Sequence, residues 1–275
     1  MRLFTGSRRW ALLCSLLACT ALVMGSTLAT AASGVESYAA AKAVEIEVMS
    51  GSKLLGNTSV ELGTAEAAYD GEDSYGETYP VSVALLGLPE VTPLDVRATP
   101  RKTPKSKTRR ASHFYVDTGL LEGYAEVTDS GAEANGSVSD TKVKDIVTIG
   151  LVESSAVATD ESAHASFVIR DVDVAGVVHV DEISGEATAS LNGEPELIIN
   201  RVEFTVLGQD FSLTAGETIG IPGIAQVKLL DGYTVKEEGR AEAHGGVLEI
   251  ELLKGFKGGV TVRIGGLDAV VTEDA

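Results

Sequence analysis

The sequence is nearly devoid of cysteine and tryptophan, and the few it has lie at one end. Both cysteines, Cys14 and Cys19, and the single tryptophan, Trp10, fall within residues 1–31. Without that segment the chain can form no disulfide, no thiol nucleophile and no cysteine metal site. The composition therefore excludes a disulfide-rich animal module and favours an exported bacterial protein.

Residues 1–31 have the three parts of a secretory signal peptide, helical before its removal. Residues 1–9 carry three arginines and no acid, residues 10–24 are almost wholly apolar, and Ala29-Thr30-Ala31 has the form after which a signal peptidase cuts. We predict cleavage after Ala31, which leaves a single domain over residues 32–275.

Other readings of the same segment remain open. It could stay in place as a membrane anchor, although its apolar run is short for a spanning helix of about 20 residues. Leu16-Leu17-Ala18-Cys19 resembles a lipobox, which would make Cys19 a lipidated N-terminus. In either case, the membrane contact would come through this segment alone.

Basic residues are scarce. The chain has 22 lysines and arginines against 40 aspartates and glutamates, for a net charge of −18, and removal of Arg2, Arg8 and Arg9 with the signal takes it to −21. So acidic a surface argues against binding to nucleic acid or anionic membranes, and favours solubility or association with cations.

Beyond the signal the sequence also lacks the 3.6-residue periodicity of helices, and its apolar residues alternate instead. Phe167, Ile169, Val172 and Val174 are matched thirty residues later by Leu197, Ile199, Val202 and Phe204, and each copy slips by one residue in its middle. Alternation indicates strands with one buried face, and the slip indicates a β-bulge or bend. We predict an all-β fold, an antiparallel meander forming a sandwich or a roll, built from repeated β-hairpins of about thirty residues.

The two ends of the predicted domain repeat one pattern. Val44-Glu45-Ile46-Glu47-Val48 is echoed by Leu248-Glu249-Ile250-Glu251-Leu252, and Val60-Glu61-Leu62-Gly63 by Val262-Arg263-Ile264-Gly265. We expect residues 44–48 and 248–252 to lie in one sheet.

Residues 97–112 depart from the acidic composition, with many basic residues and no acid. The basic residues are Arg97, Arg101, Lys102, Lys105, Lys107, Arg109 and Arg110. Because like charge and the two prolines oppose packing, we predict a mobile surface loop. It could contact an anionic polymer such as teichoic acid or lipid headgroups, or it could simply be an exposed loop on an acidic body.

Motifs that carry chemistry are absent. The sequence has no G-x-S-x-G and no phosphate-binding glycine loop, and it predicts no cofactor and no enzyme. His164 and His179 are the histidines best placed to meet across a hairpin, but surface positions explain them better than a metal site. Asp171 and Asp173 could serve a hydrolase only opposite another carboxylate in a pocket. The acidic, turn-rich residues 70–77 predict a solvated loop, without the ligand spacing of an EF-hand.

Several segments together resemble the choice-of-anchor P family of secreted, mainly actinobacterial surface proteins. They are the alanine-rich strand ending in Val44-Glu45-Ile46-Glu47-Val48, Ser154-Ser155-Ala156-Val157-Ala158, the Gly220-Ile221-Pro222-Gly223 turn leading to Val227-Lys228-Leu229-Leu230, and the final strand pair over 247–271. The resemblance implies an exported all-β domain held at the envelope, with no catalytic residues to carry over. The cysteines often found in such β domains are missing from residues 32–275, and the sequence ends at Glu273-Asp274-Ala275 without a sorting motif.

The sequence thus favours a secreted or envelope-associated structural or adhesive protein, whose partner would be a cell-wall polymer or another surface protein. The alternative is a module that binds glycan or lipid, and tyrosines are the side chains left to stack on sugars. They are Tyr38, Tyr69, Tyr75, Tyr79, Tyr115, Tyr124 and Tyr233. Tyrosines clustered together would favour binding, and scattered ones would favour the structural role.

Overall fold

A computed structural model describes residues 34–48, 58–70, 73–85, 90–102, 104–113, 116–144, 146–200, 202–246, 248–252 and 259–273. The predicted signal peptide and Cys19 lie outside these residues. Within them the chain is all-β, as predicted, and no helix is long and apolar enough to cross a membrane.

Twenty strands among the described residues form two antiparallel sheets. Sheet A contains β1 (Val35–Val48), β2 (Thr58–Tyr69), β3 (Tyr75–Leu85), β4 (Val91–Ala98), β14 (Thr218–Ile221), β15 (Ala225–Leu229), β16 (Tyr233–Glu237), β17 (Arg240–Gly245), β18 (Leu248–Leu252), β19 (Val260–Ile264) and β20 (Leu267–Glu273). Sheet B contains β5 (Lys105–His113), β6 (Val116–Thr128), β7 (Gly131–Val143), β8 (Val147–Thr159), β9 (Ser162–Val174), β10 (Val178–Ser190), β11 (Glu196–Ile199), β12 (Val202–Val206) and β13 (Gln209–Leu213).

Sheet B is the predicted meander. Strands β5 to β10 pair in the order of the chain, and the hairpins β6–β7, β8–β9 and β10–β11/β12 are those expected from the thirty-residue repeat. The slip in the first copy is a bend without a change of register, because Asp171 has a φ of +56° while Arg170 and Val172 pair in step with Glu182 and Val180. In the second copy the slip separates β11 from β12.

Sheet A brings the two ends of the described chain together around β1. One edge of β1 pairs with β2, and its other edge pairs with β20 and then β19. Ile46 lies between Val60 and Val262, so the two echoed segments flank one strand. Strand β18 pairs with β19, which confirms that residues 44–48 and 248–252 share a sheet, with β19 between them.

The two sheets pack face to face as a sandwich, and the inward residues of the alternating strands form its core. At one end these residues are alanine and glycine, so the backbones come unusually close. A Cβ added to Gly76 in sheet A would lie 2.3 Å from the carbonyl oxygen of Glu133 in sheet B. Ser37 donates a hydrogen bond of 2.5 Å to the carbonyl of Thr159 across the same interface. This packing leaves the outer faces of both sheets as the available surfaces.

The predicted loop at residues 97–112 is wrong for most of its length. Strand β4 ends at Ala98, and β5 begins at Lys105, so of the described residues only 99–102 and 104 lie between the two strands. Both prolines, Pro100 and Pro104, are among them. The basic strand is tolerated because alternate side chains along it bind the neighbouring strand β4, and the others face solvent.

Candidate functional site

Three tyrosines gather on the outer face of sheet A. Tyr38 on β1 and Tyr75 on β3 both lie beside Ala68 of β2 in the pairing register. Tyr79 on β3 reaches Glu66 on β2, with its hydroxyl 3.4 Å from Glu66 Oε1. Alternation on these strands turns all four side chains away from the core. We call this surface, carrying Tyr38, Glu66, Tyr75, Glu77 and Tyr79, the tyrosine face.

Small residues form the floor of the tyrosine face. Ala40 of β1 lies between Asp268 and Glu66, and Ala68 of β2 lies between the two tyrosines Tyr38 and Tyr75. Because alanine is short, the surrounding rings and carboxylates stand above the floor. The result is a shallow surface with aromatic walls and acceptor oxygens.

Carboxylates on this face are held by cations from neighbouring strands. Glu77 forms an ion pair with Arg97 at 3.2 Å, and the Arg97 guanidinium lies 4.9 Å from the centre of the Tyr75 ring. Glu61 forms an ion pair with Lys42 at 2.9 Å. Burial opposes the charge of Lys42, but Glu61 outweighs it and raises the Lys42 pKa.

Glu66 has a different environment. Burial raises its pKa from 4.5 to about 7, and the adjacent Glu77 carboxylate adds to the rise. Burial, with the charge of Glu66, also raises the pKa of Tyr79 and of Tyr38 above the ordinary tyrosine value. The three side chains are thus close enough to influence one another's ionisation.

Polar and aromatic side chains around His244 continue the same outer face across β17 and β20. We call this group, which contains Tyr233, Arg240, Glu242, His244 and Asp268, the histidine cluster. His244 contacts Asp268 through Nδ1 at 2.7 Å and Glu242 through Nε2 at 3.3 Å, and its ring stacks on Tyr233 at 4.8 Å. Arg240 also binds Glu242, which is buried. Burial lowers the pKa of His244, but Asp268 and Glu242 outweigh burial and raise it. Two carboxylates thus favour the charged form of this histidine.

The other tyrosines lie elsewhere. Tyr69 packs against the core and donates to the carbonyl of Asp129, and Tyr124 lies on the outer face of sheet B, where it donates to Glu126. Tyr115 falls outside the described residues. Three of the seven tyrosines therefore share one surface, with Tyr233 further along it.

The basic residues of β5 close the open side of the sandwich. Lys107 donates to the carbonyl of Asp95 at 2.6 Å and Arg109 to that of Pro93 at 2.7 Å, while Lys105 donates to the carbonyl of Arg97. Alternate side chains of β5 thus cap alternate carbonyls of β4, each strand being the last of its sheet. We call this arrangement the β4–β5 seam. Arg101, Lys102 and Arg110 are exposed beside it.

The outer face of sheet B also carries a cavity of about 510 Å³, which we call the serine groove. It crosses β5 to β9 above Gly123 and Gly136, and its walls include Tyr124, Glu122 and Glu153. Hydroxyls supply most of the remaining lining, from Ser106, Thr108, Ser137, Ser155 and Ser166. One aromatic ring, whose hydroxyl is already engaged, makes it a weaker sugar platform than the tyrosine face.

The other candidates from the sequence do not converge. His164 and His179 lie at opposite ends of the β9–β10 hairpin, near Glu186 and Asp181 respectively. Asp171 is exposed at its bend, and Asp173 accepts a hydrogen bond from the Gly176 amide at 2.8 Å in the turn. Among the described residues, no three histidine, cysteine, aspartate or glutamate side chains form a group that could hold a metal ion.

Sequence reasoning missed Glu77 as a member of a site, and it named Tyr75 as a candidate for sugar stacking without placing it on a strand. It placed them in an acidic loop over residues 70–77, whereas β3 begins at Tyr75. The alternation of Tyr75, Glu77 and Tyr79 was the available signal, because it puts all three side chains on one face of a strand.

Comparisons with known proteins add little to this description. No protein-family model and no curated protein matches the chain. Among solved structures, the translocator domain of autotransporter NalP from Neisseria meningitidis aligns over 97% of this chain and 94% of that one, with 10% identity and a TM-score of 0.18. A TM-score that low supports no conclusion about fold or function, so the function must be argued from the surfaces themselves.

Proposed function

We propose that this chain is a secreted, cell-envelope-associated, non-enzymatic adhesive protein that binds polysaccharide through the tyrosine face. The observation that carries the proposal is the gathering of Tyr38, Tyr75 and Tyr79 around Glu66 above an alanine floor. Tyrosine rings stack on the C–H faces of sugars, and carboxylates accept hydrogen bonds from their hydroxyls. An all-β sandwich holds these side chains on paired strands, which fixes their spacing.

Polysaccharide fits this surface better than lipid does. Glu66, Glu77 and Asp268 on the same face would have to lose water against acyl chains, which is costly for charged groups. A hydroxylated ligand instead replaces that water with hydrogen bonds. The predicted secretory signal and the resemblance to envelope proteins support the location, and the acidic net charge of −18 accords with an exported soluble domain.

Four of the seven basic residues at positions 97–110 bind neighbouring parts of the chain, which weakens the case for the anionic-polymer contact considered from the sequence. Lys105, Lys107 and Arg109 use their donors on carbonyls of β4, and Arg97 is paired with Glu77. Contact with an anionic polymer through Arg101, Lys102 and Arg110 remains a hypothesis. A polymer-binding role is therefore better supported at the tyrosine face.

Binding to insoluble polysaccharides tests the proposal. Wild-type protein should be retained by at least one of a set of cell-wall and plant polysaccharides in a pull-down assay. Tyr75→Ala and Tyr38→Ala should each weaken retention about tenfold, since stacking on a ring contributes roughly 1 kcal/mol or more. Tyr124→Ala, on the other sheet, is the matched control and should bind like wild type. Equal loss in all three variants, or no retention of wild type, would contradict the proposal.

Cell fractionation tests the location. Mass spectrometry of the mature protein should find Ala32 as the N-terminus and place the protein outside the cytoplasmic membrane. A lipidated Cys19 would replace the free secreted form with a membrane-anchored one, and an intact Met1 would overturn the secretion hypothesis.

A further inference from the structure

Glu66 is the least satisfied carboxylate of the tyrosine face. Glu61 pairs with Lys42, Glu77 with Arg97, and Asp268 and Glu242 with His244. Within the described part of the chain, no basic side chain lies within 4.0 Å of Glu66, and its hydrogen-bond partner is the Tyr79 hydroxyl at 3.4 Å. A half-buried carboxylate whose hydrogen-bond partner is neutral attracts a cation that can reach it.

A second unsatisfied group lies two residues away on the same strand. Thr64 is 1% exposed, and its hydroxyl has no hydrogen-bond partner. In the pairing register it lies between Lys42 of β1 and Tyr79 of β3, on the side of the sheet that carries Glu66. The Lys42 side chain is 28% exposed and paired with Glu61, so a ligand that reaches the hydroxyl has to displace it. A buried polar group without a partner costs free energy that a ligand donor would recover.

We infer that the tyrosine face binds glycans that carry a free, protonated amine, with the ammonium group held between Glu66 and Thr64. An ammonium group has three donors and no acceptor, which suits one carboxylate and one hydroxyl oxygen. The rings of Tyr38 and Tyr79 favour a cation as well, because their faces are electronegative, whereas the Tyr75 ring already carries the Arg97 guanidinium. This inference rests on the proposed function and specifies its substrate class.

An N-acetylated sugar lacks the feature that this site selects. Acetylation converts the ammonium into a neutral amide and adds bulk at the same position. The amide offers one donor and no charge, so Glu66 would stay without a cation. Selectivity should therefore depend on Glu66, whereas the affinity common to both sugars should depend on the tyrosines.

Protonation of Glu66 gives the inference a second readout. The groups around Glu66 are Tyr38 and Lys42 on β1, Glu61 on β2, Glu77 and Tyr79 on β3, and Asp268 on β20, which lies on the other side of Ala40. Their balance is negative, and it raises the Glu66 pKa together with burial. A bound ammonium group favours the ionised carboxylate, so binding at a pH of about 6 should release a proton to the buffer.

Calorimetry with a glucosamine trimer and an N-acetylglucosamine trimer tests the inference, at about pH 6, where the amine is protonated. We expect wild type to bind the glucosamine trimer about tenfold more tightly and to release close to one proton, measured in two buffers of different ionisation heat. Glu66→Gln should bind the two trimers within about twofold of each other and release no proton. Glu186→Gln, an exposed glutamate on sheet B, is the control and should keep the wild-type preference.

Other results would overturn either the inference alone or the inference together with the proposed function. Equal binding of the two trimers by wild type would overturn the inference and leave the proposed function standing. Failure of wild type to bind either trimer or any polysaccharide in the pull-down would overturn both. A trilysine peptide should bind about tenfold more weakly than the glucosamine trimer, because it cannot stack on the tyrosines. Equal affinity for that peptide would show that the site recognises amines of proteins and would overturn the glycan class.

Discussion

Glu66 shows how one residue can be shifted by its place on a sheet. Its neighbours across the strands are Ala40, which gives it no polar partner, and Glu77, whose charge repels it. Burial and this repulsion together hold its pKa near 7. A large fraction of Glu66 therefore stays protonated in the folded protein at neutral pH, which gives stability an unusual pH dependence.

Replacing Glu66 by glutamine should stabilise the protein above neutral pH. In the unfolded chain Glu66 ionises at about 4.5 and in the folded protein at about 7, so wild type loses stability relative to Glu66→Gln as pH rises through that window. The difference should approach about 3 kcal/mol at pH 8 and vanish near pH 4. Urea melts of both proteins at several pH values measure it. A difference that is constant with pH, as expected for the exposed control Glu186→Gln, would contradict the assignment.

Glycine at the sheet interface is a second residue-scale feature. A Cβ on Gly76 would meet the Glu133 carbonyl of the other sheet at 2.3 Å, whereas a Cβ on Gly220 would have no atom within 4 Å. Gly76→Ala should therefore cost about 3 kcal/mol by forcing the sheets apart, and Gly220→Ala should change stability by less than about 1 kcal/mol. Thermal or denaturant melts separate the two cases. Similar costs would mean that the close approach of the sheets is not rigid.

Individual strands show what alternation can and cannot reveal. The repeated apolar pattern predicted the hairpins of β6 to β12 and the bend at Asp171, because buried and exposed side chains alternate along each strand as they do in the sequence. The charge of residues 97–112 suggested a loop, because the side chains of Lys105, Lys107 and Arg109 could not be assigned partners without knowing that β4 lies beside them. Local pattern predicts strands, but a side chain that caps a backbone group in another sheet has no local signature.

The β4–β5 seam protects two strand edges at once. Each of these strands has an unpaired edge, and such edges template association with other chains. Lysine and arginine side chains fill the gap with hydrogen bonds to carbonyls in place of a backbone ladder. On the other side of the sandwich, Lys236 of β16 donates to the carbonyls of Ser190, Leu191 and Gly193 at 2.8 Å each, which again ties sheet A to sheet B.

Removing the seam donors should destabilise the protein and expose the edge of β4. A triple variant with alanine at Lys105, Lys107 and Arg109 should lose about 2 kcal/mol and self-associate. The matched control places alanine at Arg101, Lys102 and Arg110, which removes the same charge beside the seam. Denaturant melts and light scattering after size exclusion compare them. Identical behaviour of the two triple variants would show that net charge, and not capping of β4, governs the effect.

At the scale of the whole molecule, the tyrosine face depends on contacts between distant parts of the chain. Tyr38, Glu66 and Tyr75 come from successive strands, but Asp268 and the histidine cluster reach the same surface only because β20 pairs with β1. Sequence alternation gave the orientation of each residue on its own strand. It could not give the order of strands across the sheet, so the tyrosines could be counted from the sequence but not placed together.

The sandwich presents three distinct surfaces to a partner, and they differ in chemistry. The tyrosine face combines rings with carboxylates, the serine groove is mainly hydroxylated, and the turn beside the β4–β5 seam is basic. A neutral or cationic glycan should choose the first surface, an anionic polymer the third. The identity of the surface that responds to a ligand is therefore the clearest test of function.

Mapping the bound polysaccharide by nuclear magnetic resonance tests the central claim most directly. Amide chemical shifts of isotope-labelled protein should change on addition of a soluble fragment of the polymer retained in the pull-down. We expect the largest changes around Tyr38, Ala40, Glu66, Ala68 and Tyr75, with little change in sheet B. Changes centred on Tyr124 and Ser155 in the serine groove, or on Arg101 and Lys102, would contradict the account.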